Sequence, residues 1–77
     1  MKAFVLAKVE PGKIRDVYKA VKEMRGVSEV YGLTGPDDLI IMLEADDAKK
    51  VSNVVLTDLH LIEGIKGTDT RLVVDLG

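Results

Sequence analysis

Carboxylates stand side by side twice in this sequence, as Asp37-Asp38 and Asp46-Asp47, and paired carboxylates are what general acid–base catalysis or a hard-cation site would use. Their placement argues against both. Adjacent strand residues point to opposite faces, which separates Asp37 from Asp38, and Asp46-Asp47 falls where a helix begins and free backbone N–H groups need acceptors. The rest of the reactive inventory is thin: there is no Cys or Trp, His60 is the only histidine, and the phenols are Tyr18 and Tyr31. His60 lies near the end of a predicted helix, where an imidazole is favoured beside the carboxyl end, so it reads as structural. Tyr18 reads as packing, while Tyr31, just ahead of a turn, stands open between packing and ligand contact. No His/Asp/Glu set has metal-ligand spacing, and K-G-T-D-T-R at 66–71 resembles no phosphate loop. No catalytic residue, metal or cofactor is expected.

One stretch keeps a chemical reading. In Y-G-L-T-G-P-D-D-L, residues 31–39, the Thr34-Gly35 turn offers backbone N–H groups in a concave arrangement that suits a carboxylate. Pro36 stiffens the loop, Asp38 supplies a negative charge for an ammonium, and Thr68 and Thr70 offer hydroxyls for what the loop leaves unsatisfied. Donors plus one carboxylate match a free amino acid. Asp38 can equally hydrogen-bond its own loop and lock the turn, and the residues leave both readings open.

The elements that must position this stretch follow from the apolar spacing. Ala3 to Val9 is a short apolar run bounded by Pro11-Gly12, which predicts a central strand. Ile14, Val17, Tyr18, Val21 and Met24 have helical spacing and Gly26 stands at the C-cap. Val27 to Leu33 and Leu39 to Ala45 read as antiparallel strands joined by the quoted turn as a hairpin. A second helix runs from the Asp46-Asp47 cap through Ala48, Val51, Val54, Val55, Leu59 and Ile62 to Gly64, and Ile65 to Leu76 reads as a long last strand. The order βαββαβ, with a faint repeat of M-R-G-V in I-E-G-I, gives a ferredoxin-like α+β fold: a four-stranded antiparallel sheet with two helices on one face. The other sheet face is then open. Phe4 or Val5, Val30, Ile40 or Ile41, and Val73 or Val74 are expected to make it apolar enough for an isologous dimer.

Composition narrows the function classes. A chain of 77 residues makes one domain that buries only roughly 60 to 65% of its unfolded surface, so self-association would stabilise it. A net charge of −2 argues against a phosphate-backbone reader, and Lys13, Arg15, Lys19, Lys22 and Arg25, interleaved with Asp16 and Glu23, read as a solvated helix face. The N-terminal apolar run is too short to span a membrane, and the absence of cysteine fits a reducing compartment, so a cytoplasmic protein is expected.

In A-F-V-L-A-K-V-E-P-G, the helix ending in R-G-V, the turn with a T-G-x-x-D-hydrophobic signature, and I-E-G-I followed by T-D-T, the chain resembles the effector-binding (RAM) domain of Lrp/AsnC transcriptional regulators. The resemblance covers nearly all of residues 1–77 and implies a βαββαβ domain of the dimeric α+β barrel type. It further implies homodimers assembling into rings, octamers or decamers, with amino acids or similar effectors bound between dimers. The signature residues are Thr34, Gly35 and Asp38, with Pro36 and Asp37 between them; Thr68 and Thr70 match the last strand, and Tyr31 joins the ligand-binding set by proximity. Full-length members carry a helix-turn-helix ahead of the first strand. This chain is therefore expected to be a stand-alone module without direct nucleic-acid binding, pairing with a full-length regulator as a further option. The competing readings are a cofactor-free isomerase or monooxygenase of the same barrel type, which needs His60 or a Tyr in a pocket between helices and sheet, and an ACT domain, which commonly places its Gly-rich turn after the first strand.

Overall fold

The computed structural model describes residues 1–77. Strand β1, Lys2–Val9, leads through the Pro11-Gly12 turn to helix α1, Ile14–Lys22, then to the hairpin of β2, Val27–Gly32, and β3, Leu39–Glu44. Helix α2, Ala48–Asn53, is prolonged by a π turn, Val54–Asp58, and a 3-10 turn, Leu59–Leu61, before the last strand β4, Ile65–Leu72. The strands lie in the order β2-β3-β1-β4, every neighbouring pair antiparallel, and both helices cover one face. This is the ferredoxin-like arrangement that the element order implies.

The barrel part of that expectation is corrected. The sheet is open, with β2 and β4 as its two edges and no ladder between them. Four strands, each about 4.8 Å from the next, make too narrow a sheet to curl round a packed interior, which takes about eight strands.

Period-2 alternation sorts the two faces. Ala3, Val5, Ala7 and Val9 of β1 and Leu39, Ile41 and Leu43 of β3 are buried under the helices against Val17, Val21, Val51, Val55 and Leu59. Phe4, Leu6, Ile40 and Met42 lie half-buried on the other face, paired across the strands as Phe4–Met42 and Leu6–Ile40. The apolar residues of the open face are thus Phe4 rather than Val5 and Ile40 rather than Ile41. Val30, expected there too, is in the core opposite Ile41. A bulge between Val27 and Glu29 causes this: the extra residue turns Val27 and Val30, three apart, to the same side.

The second helix departs from a regular α-helix, and its sequence explains how. Val51, Val55 and Leu59 repeat every four residues, a spacing that drifts about 40° per repeat in an α-helix, so a straight continuation would swing Leu59 off the sheet. The wider π turn takes up that drift and all three side chains stay buried. Asp47 caps the start by accepting the Lys50 N–H at 2.9 Å, and Asp46 pairs with Lys50 Nζ at 2.7 Å. Gly64 ends the segment at φ +106°, where a Cβ would stand 3.0 Å from Val17 Cγ2, so backbone conformation and close packing on α1 both require glycine. β4 stops at Leu72 instead of Leu76; Val73 still donates its N–H to the Lys2 carbonyl at 2.9 Å, and Val74 and Leu76 are exposed.

Candidate functional site

The hairpin between β2 and β3 turns through Thr34, Gly35 and Pro36, all exposed, with Gly35 at φ +112°. A Cβ on Gly35 would meet no atom within 4 Å, so glycine serves the turn's conformation and not its packing. Behind the exposed tip, Asp38 fastens the loop to β1 and β2. Its N–H donates to the Ala7 carbonyl at 2.9 Å, its carbonyl accepts the Leu33 N–H at 2.8 Å, and its carboxylate oxygen Oδ2 accepts the Val9 N–H at 2.8 Å. The last bond has a clear cause. The β1–β3 ladder ends at Ala7–Leu39 and the β1–β4 register slips between Lys8 and Val9, so the carboxylate takes a strand N–H that lies past the end of one ladder and at the slip of the other.

The other expected ligand residues fall on different sides of the sheet. Thr68 pairs with Ala7 and Thr70 with Val5, which puts both hydroxyls on the helix side of edge strand β4. Thr68 Oγ1 is 2.8 Å from His60 Nε2. Tyr31 pairs with Ile40 on the open face, 52% exposed, and its hydroxyl donates to the Glu29 carboxylate two residues before it. That hydrogen bond, then the Glu29 charge, and lastly slight burial hold the phenol above its ordinary range.

Asp37 behaves differently from its neighbour. It leans toward the open face and lines a depression of about 170 Å³ together with Leu6, Lys8, Gly67, Thr68 and Asp69. Arg71 is bonded to Asp69 at 3.0 Å; that hydrogen bond first, then the Asp69 charge, and after them the Asp37 charge raise its pKa, against a lowering by burial. The structure therefore sets Asp37 at a depression whose lining includes Thr68, keeps the Thr68 hydroxyl on the helix side with His60, and assigns the Asp38 carboxylate to a backbone bond. Sequence reasoning did not single out Lys8, Gly67 or Asp69. Lys8 carried a signal, as the one charge inside an apolar strand.

The geometry bears on chemistry. Every fully buried residue between helices and sheet is apolar, and Tyr18 is the one phenol packed, partly buried, against that core. His60 is exposed and bonded to Thr68, so it does not enter that space. No three His, Cys, Asp or Glu side chains gather as metal ligands would.

The model of the Lrp/AsnC ligand binding domain matches residues 2–75. The chain belongs to this family. The HTH-type transcriptional regulator FL11 of Pyrococcus furiosus is 32% identical over 71 residues, 92% of this chain and 46% of that regulator. The HTH-type transcriptional regulator AldR of Mycobacterium tuberculosis is 34% identical over 62 residues, 80% of this chain and 35% of its own length. This Lrp/AsnC domain thus spans half or less of the length of those two regulators, and they are transcriptional regulators rather than enzymes. Among solved structures, TTHA0845 from Thermus thermophilus superposes with a TM-score of 0.91 at 31% identity, covering 96% of this chain and 92% of that one.

Proposed function

We propose that this Lrp/AsnC domain is a sensor module: it binds a free amino acid or similar small effector at the β2–β3 hairpin, at a contact between dimers, and the ligand shifts assembly. The observation that carries the reading is the division of labour in the turn. Asp38 anchors the loop through backbone bonds on both sides, which holds Thr34, Gly35 and Pro36 exposed in one conformation, and a donor array set in advance binds without an ordering cost. Effector specificity then comes from walls supplied by a neighbouring dimer.

The open sheet face supports the dimer. Phe4, Leu6, Ile40 and Met42 form one contiguous apolar patch that a second copy of the chain would cover. Dimers joined at their hairpins into a ring of octamer or decamer size place effectors between them. Mixed assembly with a full-length regulator gives this domain a route to transcription, in the cytoplasm. No helix is long and apolar enough to cross a membrane.

Isothermal titration calorimetry against the twenty amino acids, run beside light scattering, tests the proposal. Binding of at least one amino acid with a shift in assembled mass is expected, and a ligand shifts assembly only by its differential affinity for the two states. A stable monomer at micromolar concentration that binds none of them overturns the reading.

A further inference from the structure

The open face carries charges as well as apolar residues, and the ladder registers set them in rows. Glu29, Met42, Phe4 and Arg71 lie side by side across β2, β3, β1 and β4, and Tyr31, Ile40, Leu6 and Asp69 make the next row. On the other side of the first row, Glu44 of β3 stands opposite Lys2 of β1. Acids thus fall on β2 and β3, at Glu29 and Glu44, and bases on β1 and β4, at Lys2, Lys8 and Arg71, where Asp69 is already paired with Arg71 at 3.0 Å.

Each row is complementary to itself read backwards. A second copy laid face to face about a two-fold axis that runs along the strands, between β3 and β1, puts its β4 over β2 and its β1 over β3. Glu44 then faces Lys2 of the second copy, Glu29 faces Arg71, Tyr31 faces Asp69, and Met42 and Ile40 meet Phe4 and Leu6. An axis across the strands instead stacks each strand on its own counterpart and brings Lys2 against Lys8, a like-charge contact. The charges therefore favour one orientation of one partner.

These side chains are unused within the chain. Lys2 and Glu44 are exposed and directly opposite each other, yet neither enters any of the three ion pairs. Lys2, Glu29, Met42 and Glu44 are among the residues lining a depression of about 190 Å³ at this acidic corner. In the face-to-face arrangement Lys2 and Arg71 of the second copy arrive over that depression, which leaves room for long cationic side chains.

We infer that Lys2, Glu29, Glu44 and Arg71 select the partner of the open face: it accepts a second copy of this chain, docked with β4 over β2, through Glu44–Lys2 and Glu29–Arg71 pairs that the axis makes twice. This charge code rests on the dimer of the proposed function and adds to it the residues that decide which chain joins. A homologous chain pairs here only where it carries the same signs at these places, because like charges reject a partner whose apolar centre fits equally well.

Analytical ultracentrifugation of charge variants, alone and mixed, tests the code. Glu44→Lys and Lys2→Glu should each weaken self-association about tenfold or more, since the axis repeats every like-charge contact. Mixed in equal amounts, the two variants should associate with each other about as tightly as the wild type does with itself. Only pairing between chains gives that recovery, because within either variant positions 2 and 44 hold like charges whether mixed or not. Glu29→Arg mixed with Arg71→Glu should repeat the pattern, and Lys19→Glu, on the exposed side of α1, should change nothing. Circular dichroism should show the native fold in every variant, as all these side chains are exposed. Single variants that self-associate like the wild type, or a mixture no tighter than its components, overturn the inference and leave the dimer standing. A wild type that stays monomeric overturns both.

Discussion

The two faces of the sheet are made from the same strands and end in different conditions. On the helix side, Ala3, Val5, Leu39 and Ile41 are fully removed from water; one residue along in each case, Phe4, Leu6, Ile40 and Met42 remain half-buried among Lys2, Lys8, Glu29, Glu44 and Arg71. Both sets are apolar enough to be core. The difference is what covers them, since α1 and α2 use all their buried residues on one side and nothing in the chain reaches the other. A strand with two apolar faces thus encodes two events, folding on one face and association on the other.

The largest expected effect tests that division at neighbouring positions. Ile41→Ala opens a cavity opposite Val5 and Val30 and should cost about 2 to 5 kcal/mol, a large share of the stability of a domain this small. Ile40→Ala removes the same atoms from the open face and should cost no more than about 1 kcal/mol in a monomer. Chemical denaturation at several protein concentrations distinguishes the outcomes. If Ile40→Ala costs as much as Ile41→Ala and its cost grows with protein concentration, the second face is a core completed by another copy.

A smaller effect separates the adjacent acids, which serve the two sides differently. Asp38→Ala leaves the partly buried Val9 N–H without its acceptor and should destabilise the fold by about 1 to 3 kcal/mol. Asp37→Ala, on the open face with no hydrogen bond to lose, should stay within about 0.5 kcal/mol. Thermal unfolding of the two variants checks this. Equal losses would mean that Asp37 also holds the loop, and would weaken the case for its charge being available to a ligand.

How much of this was legible depends on whether the cause was local. The strands, the hairpin and the Asp47 cap follow from period and capping, which neighbouring residues determine; Gly26, expected at the C-cap of α1, instead turns the chain at φ +91° after the helix has ended at Lys22 with Glu23 as its cap. Val30 was misplaced because a bulge broke the alternation, and nothing in V-S-E-V-Y-G marks the extra residue. The π turn left only a faint trace in the strict four-residue spacing of Val51, Val55 and Leu59. Lys8 and Gly67 were invisible as a pair, since only the β1–β4 register brings residues from the two ends of the chain together. Asp37 and Asp38 were legible as residues of interest, but which of them the backbone uses depends on where the ladders of β1 end.

The smallest expected effect is a titration on the open face. Tyr31 donates to Glu29, and that bond, with the Glu29 charge, raises the phenol above its ordinary 10.0. A folded state that holds its proton more tightly than the unfolded chain gains stability while the proton is bound. The contribution is therefore present throughout neutral pH, below 10.0, and is lost as pH rises through the higher folded value. In a Tyr18→Phe background, which leaves Tyr31 as the one phenol, phenolate absorbance should show a midpoint above 10.0, and adding Glu29→Ala should lower it. The contrast between the faces enters through concentration. With the open face in water the midpoint does not depend on protein concentration, whereas a second sheet packed over Tyr31 would desolvate the phenolate and move the midpoint higher as the dimer fills.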